Sequence, residues 1–177
     1  MSNLLQRIDE ITHAFKNAFG GLDESKLNWK PHPQIWSIAQ NIDHLITIGE
    51  SYYPTFEALK RGTYKPPFIA KLGFLVSFLG KVVLDAVQPD RRKKMKTFPI
   101  WEPTQSKISG NIIAQFEKFQ DELKKYIADL ESIAKQGAVI SSPANRNIVY
   151  KLEMAFEIII THECRHFEQA KEVQQQI

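Results

Sequence analysis

Apolar residues recur at intervals of three and four through four separate stretches of this chain, and that period most limits its fold. A helix gathers such residues on one face, whereas a strand gathers every second residue. The first stretch runs from about Asn3 to Phe19, with Leu4, Ile8, Ile11, Phe15 and Ala18 in register, and Gly20-Gly21 breaks it. The second opens at Ser37, an N-cap with Gln40 three positions on, and carries Ile38, Ile42, Leu45, Gly49 and Phe56. Pro54 falls late in it and predicts a kink or an early end. The third spans about Thr104 to Lys135, with Ile108, Ile112, Phe116, Phe119, Leu123, Tyr126, Leu130 and Ile133 on its stripe and Gly137 as its stop. The fourth runs from about Asn147 to Gln174, and Ile148, Leu152, Ala155, Ile159, His162, His166, Gln169 and Val173 line it.

No segment shows a convincing strand pattern, and there is no internal repeat. Four amphipathic helices imply an all-α four-helix bundle. The 177 residues, 43% of them apolar, suit one domain over 1–177 with its own core. A long connection joins the second and third helices and permits a crossover. It holds a loop at Gly62 to Pro67, an apolar stretch from Phe68 to Val87 and the basic run RRKKMK from Arg91 to Lys96. Pro89, Pro99 and Pro103 bound its last part, and connections of this length often serve as lids or binding loops.

Lys71, Lys81 and Asp85 interrupt the apolar stretch, which argues against a lipid-spanning helix and for a buried or lid-like one. The N-terminus lacks the apolar core of a signal peptide. A net charge of +3 is too small to imply nucleic-acid binding, and RRKKMK reads as a solvated loop, so neither nucleic acid nor membrane is expected as a partner. The single cysteine, Cys164, cannot form an intramolecular disulfide and suits a reducing, cytoplasmic setting.

The chemistry concentrates in His162-Glu163-Cys164-Arg165-His166. Positions i and i+4 of a helix lie one turn apart on the same face, so both imidazoles can reach one metal ion. Both sit in the apolar stripe, where unpartnered polar groups cost a few kcal/mol. The string formally matches HExxH, in which the glutamate is a general base. Glu163 points about 100° from His162, and a base, a partner to the ligands and a solvated carboxylate are all open to it. Cys164 turns away from the histidines and reads as a small packed residue. Gln169 shares the His166 face and is placed to hydrogen-bond an imidazole or to pack. A third ligand is needed. His13 and His32 read as exposed, and periodicity leaves His44 on the flank of its helix, about 120° from Ile38.

Trp36-Ser37 followed by His44-Leu45, with His162, His166 and Gln169 near the C-terminus, resembles the DinB-like family, including its YfiT-type members. The connector LNWKPHPQIWSIAQNIDHL is similar to that family's entry into its second helix, and the likeness extends from the first helix to the last. It implies a four-helix bundle holding one divalent metal ion through His44, His162 and His166. Nickel or zinc would be the first choice, with iron and manganese as further candidates. The third ligand then comes from an earlier helix, which displaces the metalloprotease reading of HExxH.

Three neutral histidines leave open positions on such an ion, which can acidify bound water or stabilise a bound thiolate. Family members include hydrolases and S-transferases that use low-molecular-weight thiols. The expected function is therefore a metal-dependent enzyme acting on a small-molecule substrate, as a thiol S-transferase or hydrolase. Glu163 is its candidate base, and Arg91 and Arg92 are candidate cations for an anionic thiol. The alternative is a non-catalytic stress-response or binding module with a structural metal. The apolar stretch from Phe68 offers a surface for a homodimer.

Overall fold

The computed structural model describes residues 2–90, 97–103 and 107–177. The candidate cofactor cations Arg91 and Arg92, and the basic run that holds them, lie outside these. The chain forms α1 (Ser2–Phe19), a short α2 (Glu24–Asn28), α3 (Ile38–Ser51), α4 (Tyr53–Lys60) and α5 (Gly73–Ala86). Then come α6 (Ile112–Lys135), a hairpin of β1 (Val139–Ser142) and β2 (Asn145–Lys151), and α7 (Leu152–Gln174). No helix among the described residues is long and apolar enough to cross a membrane.

Local chemistry sets most of these boundaries. The Ser37 hydroxyl accepts from the Gln40 backbone N–H while the Gln40 side chain accepts from the Ser37 N–H, so the expected capping box starts α3. Pro54, in the first turn of α4, separates α4 from α3, as a residue without an N–H must. Gly137 takes a φ of 81°, a left-handed value open to glycine, just past the end of α6.

Long helices α1, α3, α6 and α7 make the bundle, with α1 and α3 each packed against both α6 and α7. The side-chain pairings fix their directions. Arg7–Glu157 and Gln174–Ala18 make α1 and α7 parallel. Lys16–Glu117 and Lys124–Asp9 set α6 antiparallel to α1. Lys60 of α4, the continuation of α3, pairs with Asp129, and Gly49 lies against Phe119, so α3 and α6 run the same way. Parallel neighbours need a chain that returns across the bundle, and the long connection is that crossover. The apolar stripes meet inside, where Phe15 packs on Phe116 at 4.6 Å and on Phe167 at 5.1 Å between ring centroids.

Three expectations need correction. The fourth helix begins at Leu152, because residues 147–151 belong to β2, which pairs antiparallel with β1 in the register Ile140↔Tyr150. Ile148 and Leu152 are spaced like helical neighbours, yet the run Ile148-Val149-Tyr150 is rich in residues that favour strands. The third helix begins at Ile112. Ile108 is buried as its place in the stripe predicts, but in irregular chain ahead of the helix, clamped by Asn28, whose amide bonds both the Ile108 N–H and its carbonyl at 2.7 Å. Finally, the apolar stretch after Pro67 forms a single turn of 3-10 helix and α5, and the buried alternative fails, since only Val76 and Gly80 of α5 are buried.

Candidate metal centre

Antiparallel packing of α3 on α7 sets the site. Asn41 and His44 lie one turn apart on α3, and His162 and His166 lie one turn apart on α7. The ring of His44 stands 5.3 Å from that of His162 and 4.7 Å from that of His166. One nitrogen from each of the three histidines lies within 4.8 Å of the others, so the three can hold one metal ion. His162 Nε2 and His166 Nε2 are 3.0 Å apart. Two ligand nitrogens on a tetrahedral zinc ion stand about 3.3 Å apart, so a small inward or outward shift accommodates the ion.

Hydrogen bonds choose the tautomers. His44 Nδ1 lies 2.7 Å from the Trp101 carbonyl, which only accepts, so Nδ1 carries the proton and Nε2 a free lone pair. His166 Nδ1 lies 2.7 Å from Asn41 Oδ1. The Asn41 amide is oriented by its own NH2, which donates to the Ser37 carbonyl at 2.9 Å. His166 therefore also presents an unprotonated Nε2, and it faces His162 Nε2. Two lone pairs cannot share that space without a proton or a cation between them. A divalent cation suits this donor set, because metal-bound imidazoles need a partner on their second nitrogen.

Burial keeps the rings neutral. It pulls the His44 pKa down to about 4, and the Trp101 carbonyl opposes this only partly. His166 and His162 are held well below the ordinary histidine range, first by burial and then by the closeness of the neighbouring histidines and of Arg165, which disfavours a further positive charge. Neutral imidazole is the form that ligates. His44 and His166 are buried, while His162 keeps part of its surface open. Trp36 walls the other side, stacking on His166 at 5.9 Å and tilted against His44 at 4.8 Å.

His44 thus belongs with the other two histidines, although its helix period left it on a flank. His13 and His32 are exposed, as expected. Glu163 does not lie in solvent. It is 1% exposed and turned into the bundle core, where Gln120 Nε2 donates to it at 2.9 Å. Burial raises its pKa to about 8. Cys164 is half-buried, and burial pushes its thiol up. The partner of His166 is Asn41 and not Gln169, which is half-buried. Asn41 and the Trp101 carbonyl are the two features that sequence reading missed. Asn41 was within reach of it, three residues before His44 on the same helical face. The Trp101 carbonyl carries no side-chain signal.

The chain is 28% identical over 162 residues to the uncharacterized protein YuaE of Bacillus subtilis (strain 168), covering 91% of each. No solved structure matches it. A family model described as the DinB superfamily matches residues 7–170. Bundle, histidine cluster and family match agree, and the chain belongs to the DinB superfamily.

Proposed function

We propose that the chain binds one divalent metal ion, nickel or zinc by preference, through His44, His162 and His166. We further propose that it acts there on small molecules, as a hydrolase or as a transferase using a low-molecular-weight thiol. One observation carries this reading. Two of the three imidazoles have their second nitrogen fixed by a carbonyl-type acceptor, which leaves their Nε2 lone pairs free, and one ring nitrogen from each of the three histidines lies within 4.8 Å of the others.

A divalent ion held by three neutral ligands supplies Lewis acidity at its remaining positions. The protein residues do the rest. Asn41 and the Trp101 carbonyl hold two rings in register. Trp36 closes the apolar side and keeps water from the buried ligands. The accessible edge of His162 marks the side on which a substrate can approach. Glu163, bonded to Gln120 in the core, serves as a packing and polar residue of the bundle in this reading and not as the base.

A second reading rests on the origin of the ligands. They come from adjacent helices α3 and α7, so the ion would also tie these together and stabilise the fold by mass action. Elemental analysis of the wild type and of His44→Ala tests the metal. About one equivalent in the former and little in the latter is expected, and equal content in both would refute the site. Screening the loaded protein against esters, amides and electrophiles with small thiols separates the readings. Turnover lost with His44→Ala supports the enzyme. A large metal-dependent rise in Tm with an empty screen supports the structural role.

A further inference from the structure

Phe74, Phe78 and Val82 follow one another at four-residue steps along the outer face of α5, and Phe68 and Leu72 precede them in the adjoining turn. Phe68 is 75% exposed, Phe74 72% and Phe78 61%. At roughly 200 Å² for a whole side chain, these three rings alone present about 400 Å² of apolar surface. That is as large as the whole apolar patch of a typical monomer, and such patches mark interaction sites. Of the two readings the sequence offers for this stretch, buried or lid-like, the buried one fails, because α5 turns its phenylalanines outward.

The rim of the patch is cationic. Lys65, Lys71 and Lys81 are exposed on the same segment, and Arg146 and Lys151 are exposed on β2, which packs against α5. They outnumber the acids on and beside this segment, Asp85, Asp90, Glu153 and Glu157, the last of which is paired with Arg7. Lys71 Nζ lies 5.5 Å from the centre of the Phe68 ring, so cation and ring occupy one place. No ion pair links Lys65, Lys71, Lys81 or Lys151 to a carboxylate among the described residues.

Two surfaces compete as the occupant, a second copy and a lipid interface. Two copies meeting across a two-fold axis would set each lysine near the image of the same set, and like charges facing each other disfavour the pairing. Aromatic rings ringed by lysines match the other surface. The rings enter the boundary between headgroups and acyl chains, and the cations meet anionic phosphates. No spanning helix is needed for this. We propose that the α5 face docks the protein peripherally on an anionic phospholipid surface.

Vesicle flotation tests this with the full chain. Vesicles of phosphatidylcholine with about 30% phosphatidylglycerol are compared with pure phosphatidylcholine. The wild type should float with the anionic vesicles at least tenfold more than with neutral ones, and 0.5 M salt should reduce this. Phe74→Ser with Phe78→Ser should lower binding at least tenfold. Lys71→Glu with Lys81→Glu should abolish the preference for anionic lipid. All four positions are exposed, and an unchanged circular-dichroism melt verifies each variant's fold. The proposal is overturned if the wild type binds neither vesicle. It is also overturned if the serine variant binds as well as the wild type, or if sedimentation shows a wild-type dimer that the serine variant dissociates while lipid binding is absent.

Discussion

Replacing Glu163 with glutamine gives the most direct reading of the bundle interior. Glu163 is buried between α7 and α6 with one hydrogen bond, from Gln120 Nε2 at 2.9 Å. Its Oε1 and the Oε1 of Gln120 are both buried without a partner among the described residues. Burial lifts the carboxyl from its ordinary 4.5 to about 8, with the Gln120 bond and the Arg7 charge opposing. Between those pH values the unfolded chain has released a proton that the folded chain keeps. Stability is therefore lost as pH rises through this window, by up to about 1.4 kcal/mol per pH unit. The loss amounts to about 3 kcal/mol at pH 7 and about 5 kcal/mol above pH 8. Glu163→Gln removes the ionisable group and supplies an NH2 that can donate to the orphaned Gln120 oxygen. Urea unfolding followed by circular dichroism at pH 5, 7 and 9, with and without chelator, measures the difference. The variant should match the wild type within about 1 kcal/mol at pH 5 and exceed it by several kcal/mol at pH 9. A gap that does not change with pH, or a wild type that is the more stable at pH 9, would refute the reasoning.

Three other outcomes follow from the same geometry. Asn41→Leu leaves the His166 Nδ1 proton without its acceptor and should weaken metal affinity about 10- to 100-fold in a chelator competition, with the helix content unchanged. In metal-free protein the lowered His44 pKa of about 4 means that, below pH 6.5, the unfolded chain takes a proton the folded site refuses. Stability should fall by about 3 kcal/mol between pH 6.5 and 4 from His44 alone, and His44→Gln should flatten that limb of the urea titration. Gly49→Ala should destabilise by about 1–3 kcal/mol or more in thermal melts, because a methyl built there falls within the ring of Phe119 and brings α3 too close to α6. A neutral result at Gly49 would mean that the two helices can separate at no cost.

The sequence by itself determined the helices and most of their inner faces. Periodicity is a local property, so Leu4, Ile8 and Phe15 of α1 and Ile112, Phe116 and Leu123 of α6 are buried as their spacing required. Capping and chain breaks are equally local, which is why Ser37 and Gln40 start α3 and Pro54 divides it from α4. The pair His162 and His166 was legible for the same reason, since a one-turn separation puts two rings on one face of any helix. Where helix and strand spacings coincide, as at Ile148 and Leu152, the local pattern failed, and only pairing of β2 with β1 decided the matter.

Whatever depends on which helix lies beside which came from the tertiary structure alone. A helical wheel gives angles around one axis and says nothing of the neighbour. Antiparallel packing of α3 on α7 carried His44 from the flank of its own helix to the other two histidines. The same packing put Asn41 against His166, and the crossover brought the Trp101 carbonyl to His44. It also settled two places where the sequence context misled. Glu163 matches a catalytic motif, yet α6 stands where solvent or substrate would have been. The phenylalanines of α5 look like core, yet the bundle closes without them. One hydrophobic pattern fits several packings, and burial is a property of the assembled helices, decided by how they fill the space between them.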